Sequence, residues 1–201
     1  GGLRLRGKNI KGTAENLSKY SNITFAYDEK NPNNPNTVKV ACTGDIRTLL
    51  DYSNYKNVNT SQACFANLFY HCWVLTSAPD LPATELAFNC YNGMFYWCPY
   101  LQNAPELPAT KLNTQCYQNM FWGCTRLTKA PKLPATKLAF ACYNGMFEYC
   151  YWLQEAPELP ATTLAEQCYM DMFAYCYLTK APKLPATELK PRCYTTVSYT
   201  H

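Results

Sequence analysis

Apolar residues and cysteines recur at a constant interval through most of this chain. One series of cysteines lies at positions 64, 90, 116, 142 and 168, and a second at 72, 98, 124, 150 and 176. The segment Ala-Pro-x-Leu-Pro-Ala-Thr recurs beginning at positions 78, 104, 130, 156 and 181. Such self-similarity predicts structural repeats, each of which buries its apolar face against its neighbours.

Within one repeat, the pattern predicts a short strand followed by a helical segment. Residues 127–130 form an extended stretch that ends at Pro131, because proline lacks the amide hydrogen that a strand ladder requires. From Leu138 to Cys150, apolar residues follow at steps close to four, which is typical of one helix face. The repeat length suits leucine-rich repeats. We therefore predict an α/β repeat solenoid of leucine-rich-repeat coils, with parallel strands on one side and helical segments on the other.

Two motifs of the repeat resemble a known family. The pattern Phe-x-x-Cys-x-x-Leu followed by a proline-ended strand resembles the BspA-like leucine-rich repeats of bacterial surface proteins. The variant Leu-Pro-Ala-Thr-x-Leu is similar to copies found in gut Bacteroidales and in phages that infect them. The resemblance covers about residues 61–193. This chain departs from the family in two ways: it has Ala-Pro where the family usually has an Ile-x-Ile-Pro strand, and it has a second cysteine in each repeat. It implies adhesion or recognition at a bacterial cell surface or on a phage particle.

The chain divides into a non-repeating region at residues 1–60 and five repeats plus a partial sixth at residues 61–201. A short helix with an acidic residue near its start is predicted over 44–50, and a turn-rich, mobile loop over 31–36. We interpret the first region as a β-rich cap over the first repeat. No second cap is predicted, so the natural chain is expected to continue past the last residue. Three alternating stretches of the cap predict strands: 3–6, 23–26 and 37–40.

The ten cysteines of the two series leave three interpretations open, and none is assigned to Cys42 and Cys193, which fall outside the series. The favoured one is that the thiols are buried as small apolar side chains. Disulfides between neighbouring repeats are the second, because a strand spacing of about 4.8 Å matches the ~4.4–6.8 Å separation of disulfide-linked Cα atoms. Metal binding is the third, but the eight-residue separation of the two series matches no zinc motif. We predict neither a metal nor another cofactor.

The two positions on each side of the second cysteine vary, although the rest of the repeat is strict. All 4 tryptophans of the chain fall in this set. Tyrosine and tryptophan provide large, rigid contact areas, and an exposed aromatic patch usually marks an interaction site. We predict a ligand-binding edge; the alternative is that the rings are spacers between repeats. The predicted site consists of Tyr70, His71, Trp73, Tyr96, Trp97, Tyr100, Trp122, Arg126, Tyr149, Tyr151, Trp152, Tyr175 and Tyr177.

Two columns of charged and polar residues alternate in sign over the later repeats. Opposed charges on parallel strands stabilise their register, so we favour this role over a ligand-reading surface. The fifth repeat lacks one residue beside Tyr177, which predicts a local shortening with an undisturbed core. The two columns are Asp80, Glu106, Lys132, Glu158 and Lys183, and Ser77, Asn103, Lys129, Glu155 and Lys180.

No catalytic arrangement is apparent. Of the two histidines, His71 occupies a variable position and His201 is the last residue, and no phosphate-binding loop or paired metal carboxylates occur. A net charge of +4 is too small to indicate nucleic-acid binding, and no stretch approaches the ~18 apolar residues of a membrane span.

We predict a non-enzymatic recognition module for a protein or glycan ligand. The alternative is a structural protein that associates with itself through the aromatic edge. Alanine at Trp97 and Trp122 is expected to abolish binding with little change in melting temperature.

Overall fold

The computed structural model describes residues 3–25 and 38–196. Two short antiparallel strands form one sheet, and two short parallel strands form another. Two 3-10 helices follow the third strand. The elements are β1 (Ala14–Asn16), β2 (Lys19–Tyr20), β3 (Val40–Ala41), the 3-10 helices Ile46–Leu49 and Tyr55–Asn57, and β4 (Leu75–Ser77).

The predicted α/β solenoid of leucine-rich-repeat coils is wrong. Within the described residues there is no helix of seven or more residues, and the only strands are the four short ones. The strand predicted over 127–130 is reduced to a single bridge between Asn103 and Lys129. Prolines that follow each such segment shorten the ladder, because they donate no hydrogen bond to it.

The predicted helix from Leu138 to Cys150 is instead a run of tight turns. Ala141, Gly145 and Tyr149 have positive φ angles of 49°, 59° and 61°, which a right-handed helix does not contain. Between them, the N–H groups of even-numbered residues donate to carbonyls three residues back. Those of odd-numbered residues donate to carbonyls of the next repeat. The steps of four in the sequence therefore mark the period of these turns.

Two ladders of aromatic rings form the centre of the core. In both, rings from equivalent positions of adjacent repeats are stacked face to face, at separations within the favourable range for aromatic pairs. These contacts explain why the aromatic positions of the repeat are strict, since each ring packs on its counterpart in the next repeat. The first ladder is Phe69, Phe95, Phe121, Phe147 and Phe173, with centroids 5.5–5.6 Å apart. The second is Phe65, Tyr91, Tyr117, Tyr143, Tyr169 and Tyr194, at 5.7–5.9 Å.

Asparagine and glycine alternate at the middle turn of successive repeats for a steric reason. Asn67, Gly93, Asn119 and Gly145 all have φ between 54° and 59°, a region that asparagine and glycine adopt more easily than other residues. A Cβ at Gly145 would overlap Oδ1 of Asn119, and a Cβ at Gly93 would overlap Oδ1 of Asn67. Each asparagine side chain thus occupies the space that the following glycine leaves open.

Replacing Gly145 with alanine is expected to lower the free energy of unfolding by about 2–3 kcal/mol. The positive φ costs ~1–2 kcal/mol, and the overlap with Asn119 adds to it. Gly44→Ala is the matched control, because Gly44 has φ +88° but nothing within 4 Å of the added Cβ. Urea denaturation of Gly145→Ala, Asn119→Ala and the double variant measures the coupling between the two sites. Zero coupling, or equal losses at Gly44 and Gly145, would contradict the steric explanation.

The region before the first repeat is hydrogen-bonded to that repeat. The backbone N–H groups of Thr13, Ile23 and Val40 donate to carbonyls of Cys64, Leu68 and Val74 at 2.7, 2.6 and 2.9 Å. Ile46 and Leu50 are buried in the same core as the repeats. These contacts join the two regions of the sequence.

The strand predictions in this region are mostly wrong. Residues 3–6 and 23–25 form no strand, and the third prediction is reduced to β3. The helix predicted over 44–50 is present as one 3-10 turn, and Asp45 caps it by accepting a hydrogen bond from the Arg47 amide at 2.9 Å. Residue 26, the predicted loop at 31–36, residue 37 and His201 lie outside the described residues.

Candidate binding site

The backbone holds the residue before each second cysteine in the left-handed region. His71, Trp97, Tyr149 and Tyr175 have φ of 56°, 57°, 61° and 60° there. Bulky residues rarely adopt this conformation, and it persists where surrounding contacts determine it. For His71, Trp97 and Tyr149 the contacts are hydrogen bonds to the next repeat, such as that from the Tyr149 amide to the Ala174 carbonyl at 2.9 Å. In these three repeats, the neighbouring repeat therefore sets the backbone direction of the ring.

The structure brings most of the predicted aromatic residues together, and we call the predicted aromatic positions of the five repeats the aromatic strip. Its central line is Tyr70, Tyr96, Trp122, Tyr149 and Tyr175, while Trp152 follows Tyr151 in the chain and has no ring contact within the described residues. Ring centroids of Tyr70 and Tyr96 lie 5.1 Å apart, and those of Tyr96 and Trp122 lie 4.5 Å apart. Trp122 meets Tyr149 at 4.8 Å, and Tyr149 stacks on Tyr175 at 4.4 Å. The strip thus crosses all five repeats.

Other predicted residues flank this central line. His71 and Trp73 lie 6.4 and 6.3 Å from Trp97, which itself meets Trp122 at 5.2 Å. Tyr151 contacts Tyr177 with a centroid distance of 5.9 Å. The predicted set therefore consists largely of side chains in mutual contact.

Exposure divides the strip into two halves. At the C-terminal end, the exposed fractions are 62% for Trp152, 60% for Tyr177, 55% for Tyr175 and 38% for Tyr151. At the N-terminal end, the rings are half-buried against one another, with only His71 exposed. Packing between repeats accounts for the burial of the rings in the N-terminal half. The exposed half, made up of Tyr151, Trp152, Tyr175 and Tyr177, offers surface to a ligand.

Gly123 has a structural role that sequence reasoning missed. It occupies the same position as Trp97 and Tyr149 in its own repeat and has φ +70°. A Cβ at this residue would overlap the ring of Trp97. The sequence does contain a sign of this role. The position is aromatic or histidine in the other repeats, and its glycine comes one repeat after Trp97.

Two cations contact the ring of Tyr100. Nζ of Lys39 lies 3.2 Å from the ring centroid, and Cζ of Arg126 lies 4.2 Å from it. Both distances suit cation–π attraction. Arg126 belongs to the predicted site, whereas Lys39 lies outside the repeats and could not be associated with it from spacing alone.

One carboxylate, Glu148, lies within the strip. Burial raises the pKa of Glu148, the hydrogen bond with the Trp122 side chain lowers it, and the negative charge of Asp171 raises it. Burial has the largest effect, so the pKa lies above its ordinary value. Glu148 was among the variable positions but not among the predicted site residues.

All 12 cysteines are free thiols in this structure, and the ten of the two series are buried, as the favoured interpretation predicted for them. Cys98 and Cys124 donate hydrogen bonds from Sγ to carbonyls of the preceding repeat, Phe69 at 3.0 Å and Phe95 at 3.2 Å. Burial raises the pKa of Cys124 to about 12, so its reactive thiolate form is scarce near neutral pH. In the described ranges, no three His, Cys, Asp or Glu residues are grouped so as to hold a metal ion.

The charged columns are only partly arranged as predicted. Isolated bridges pair Asn103 with Lys129 and Glu155 with Lys180. No ion pair forms within either column in the described part of the chain, while Lys111 pairs with Glu85 outside the columns. An open groove of about 390 Å³ lies between the third and fourth repeats. It is lined by Thr128, Lys129, Ala130, Gln154, Glu155, Ala156 and Pro157.

The missing residue of the fifth repeat shortens it locally, as predicted. The bridge between Glu155 and Lys180 spans one residue fewer along the chain than the earlier bridge between Asn103 and Lys129. Leu178, next to the missing position, is still only 4% exposed. The core is therefore continuous past the deletion.

Comparisons with known proteins found no matching family model, curated protein or solved structure. The resemblance to BspA-like repeats therefore stays a prediction from the motifs. No helix in residues 3–25 and 38–196 has the length and apolar character needed to cross a membrane.

Proposed function

We propose that this chain is a non-enzymatic recognition module that binds a protein or glycan ligand through the exposed half of the aromatic strip. The observation that carries the proposal is the exposure of Tyr151, Trp152, Tyr175 and Tyr177 side by side on adjacent repeats. Contiguous exposed aromatic surface is uncommon on proteins without a binding partner. The cell surface or phage location implied by the motifs accompanies this proposal.

Preorganisation supports binding by this surface. Tyr175 stacks on Tyr149 at 4.4 Å and Tyr177 lies 5.9 Å from Tyr151, so these rings are already held before a ligand arrives. A rigid contact surface loses little conformational entropy on association. Aromatic side chains in such positions commonly account for most of the binding energy of an interface.

Alanine substitution of Trp152 and Tyr175, each singly, is expected to weaken ligand binding at least tenfold. Ligands are first identified with a glycan array and with pull-downs from cell-surface extracts, and affinity is then measured on the purified ligand. Phe140→Ala is the matched control, because Phe140 is an aromatic residue that is 38% exposed, as Tyr151 is, and lies outside the strip. The control is expected to bind normally.

Two results would count against the proposal. Equal loss of affinity in the Phe140 control would show that the effect does not depend on the strip. Sedimentation analysis across a dilution series separates recognition from self-association. If the unmodified chain is a dimer and both strip variants are monomers, the surface serves the assembly of copies of the chain.

A further inference from the structure

In the column two residues after the second cysteine, which we call the outer column, the first residue is the buried Val74, and one arginine then lies between two rings. In the second repeat this position is Tyr100, in the third Arg126 and in the fourth Trp152. Arg126 contacts the Tyr100 ring at 4.2 Å, and Lys39 from the region before the repeats contacts it at 3.2 Å. The chain therefore provides two cations for the first ring of this column.

The second ring of the outer column lacks such a neighbour on the side of the fifth repeat. The deletion leaves only Tyr177 between Cys176 and Leu178, so the position that would follow Trp152 in the column does not exist. Trp152 is 62% exposed. Within the described ranges, no aromatic ring and no basic side chain packs on it. Tryptophan is also the aromatic residue that attracts cations most strongly.

We propose that the ligand supplies an organic cation, an ammonium or a guanidinium group, that binds the exposed Trp152 ring on the side of the fifth repeat, where the outer column has no residue. This inference rests on the proposed function and states which chemistry the ligand presents there. A cation is favoured over a neutral ring because the chain itself places lysine and arginine on Tyr100, the equivalent residue two repeats earlier.

The test is an NMR titration of the intact chain that follows the indole N–H of Trp152, assigned by its loss in Trp152→Ala. Three probes are compared: choline, N-acetyl-arginine methylamide, and 3,3-dimethylbutan-1-ol, which is the uncharged carbon isostere of choline. We expect a saturable shift with a cation and about fivefold weaker binding of the neutral isostere. The choline and arginine probes distinguish a quaternary ammonium from a guanidinium ligand.

An insertion variant tests the position itself. Arginine inserted between Tyr177 and Leu178 restores the full length of the repeat. It is expected to abolish the shift of the Trp152 indole N–H on adding a cation, because its own guanidinium group packs on the Trp152 ring. Serine inserted at the same place is the matched control and should leave binding of the cation in place. Equal binding of choline and its neutral isostere to the unmodified chain would overturn the inference. If neither cation binds, but Trp152→Ala still loses the identified ligand, the inference fails and the proposed function stands.

Discussion

Raising the pH from 8 to 11 is expected to unfold the protein. Burial raises the pKa of Cys64 and Cys72 to about 11, and that of Cys116 and Cys124 to about 12, from an ordinary value of 9.0. The unfolded chain therefore loses thiol protons above pH 9 that the folded chain retains. Stability from this source is complete below pH 9 and is lost as the pH rises towards 11–12.

The expected effect is large because the thiols act together. Each thiol lowers the free energy of unfolding by about 1.4 kcal/mol for every pH unit above 9. Two such thiols over two pH units lower it by about 5 kcal/mol, which is comparable to the whole stability of many domains. The pKa is raised in all ten thiols of the two series. Burial also raises the pKa of Tyr117 and Tyr143, which acts in the same direction.

Calorimetry between pH 7 and 11 measures this effect through the melting temperature. At pH 8, the ten thiols of the two series should react slowly with a thiol reagent, since they are buried and protonated. The variant Cys124→Ala should have a shallower pH dependence by about one proton. A melting temperature that is unchanged up to pH 11 would contradict the prediction, and a mass lower by ~2 Da for each bridge would show that disulfides had formed.

The second large effect is expected at Trp122. Its ring meets Tyr96 at 4.5 Å, Trp97 at 5.2 Å and Tyr149 at 4.8 Å, so Trp122→Ala removes three aromatic contacts at once. A fully buried tryptophan costs about 3–5 kcal/mol on truncation, and for this half-buried ring we expect about 2–3 kcal/mol. Tyr175→Ala, at 55% exposure, should cost under about 1 kcal/mol.

This result would reverse the expectation from sequence, in which alanine at Trp97 and Trp122 changed binding but not stability. Urea denaturation of Trp122→Ala and Tyr175→Ala measures both losses. Trp122→Phe is the control, because it keeps a ring between Tyr96 and Tyr149 and should recover part of the stability. Similar losses in both alanine variants would contradict the division of the strip into a packed and an exposed half.

The buried and the variable positions of the repeat could be predicted from the sequence alone. Two cysteines and the phenylalanine of the first ladder recur in every repeat. They are buried in one core, where each phenylalanine ring stacks on its counterpart, and such packing tolerates little change. The variable residues stood out against this pattern, and most of them meet in one strip. Part of the site could therefore be identified without coordinates.

The backbone conformation and the exposure of each ring depend on contacts between repeats, which the sequence does not contain. Steps of four residues suit both a helix and consecutive turns, and the choice depends on hydrogen bonds between adjacent repeats, such as that from Phe147 to Met172. A local pattern does not contain those partners, so the helix prediction failed. For the same reason, the half-burial of Trp122 and the exposure of Trp152 follow from the neighbouring repeats and not from their own residue types.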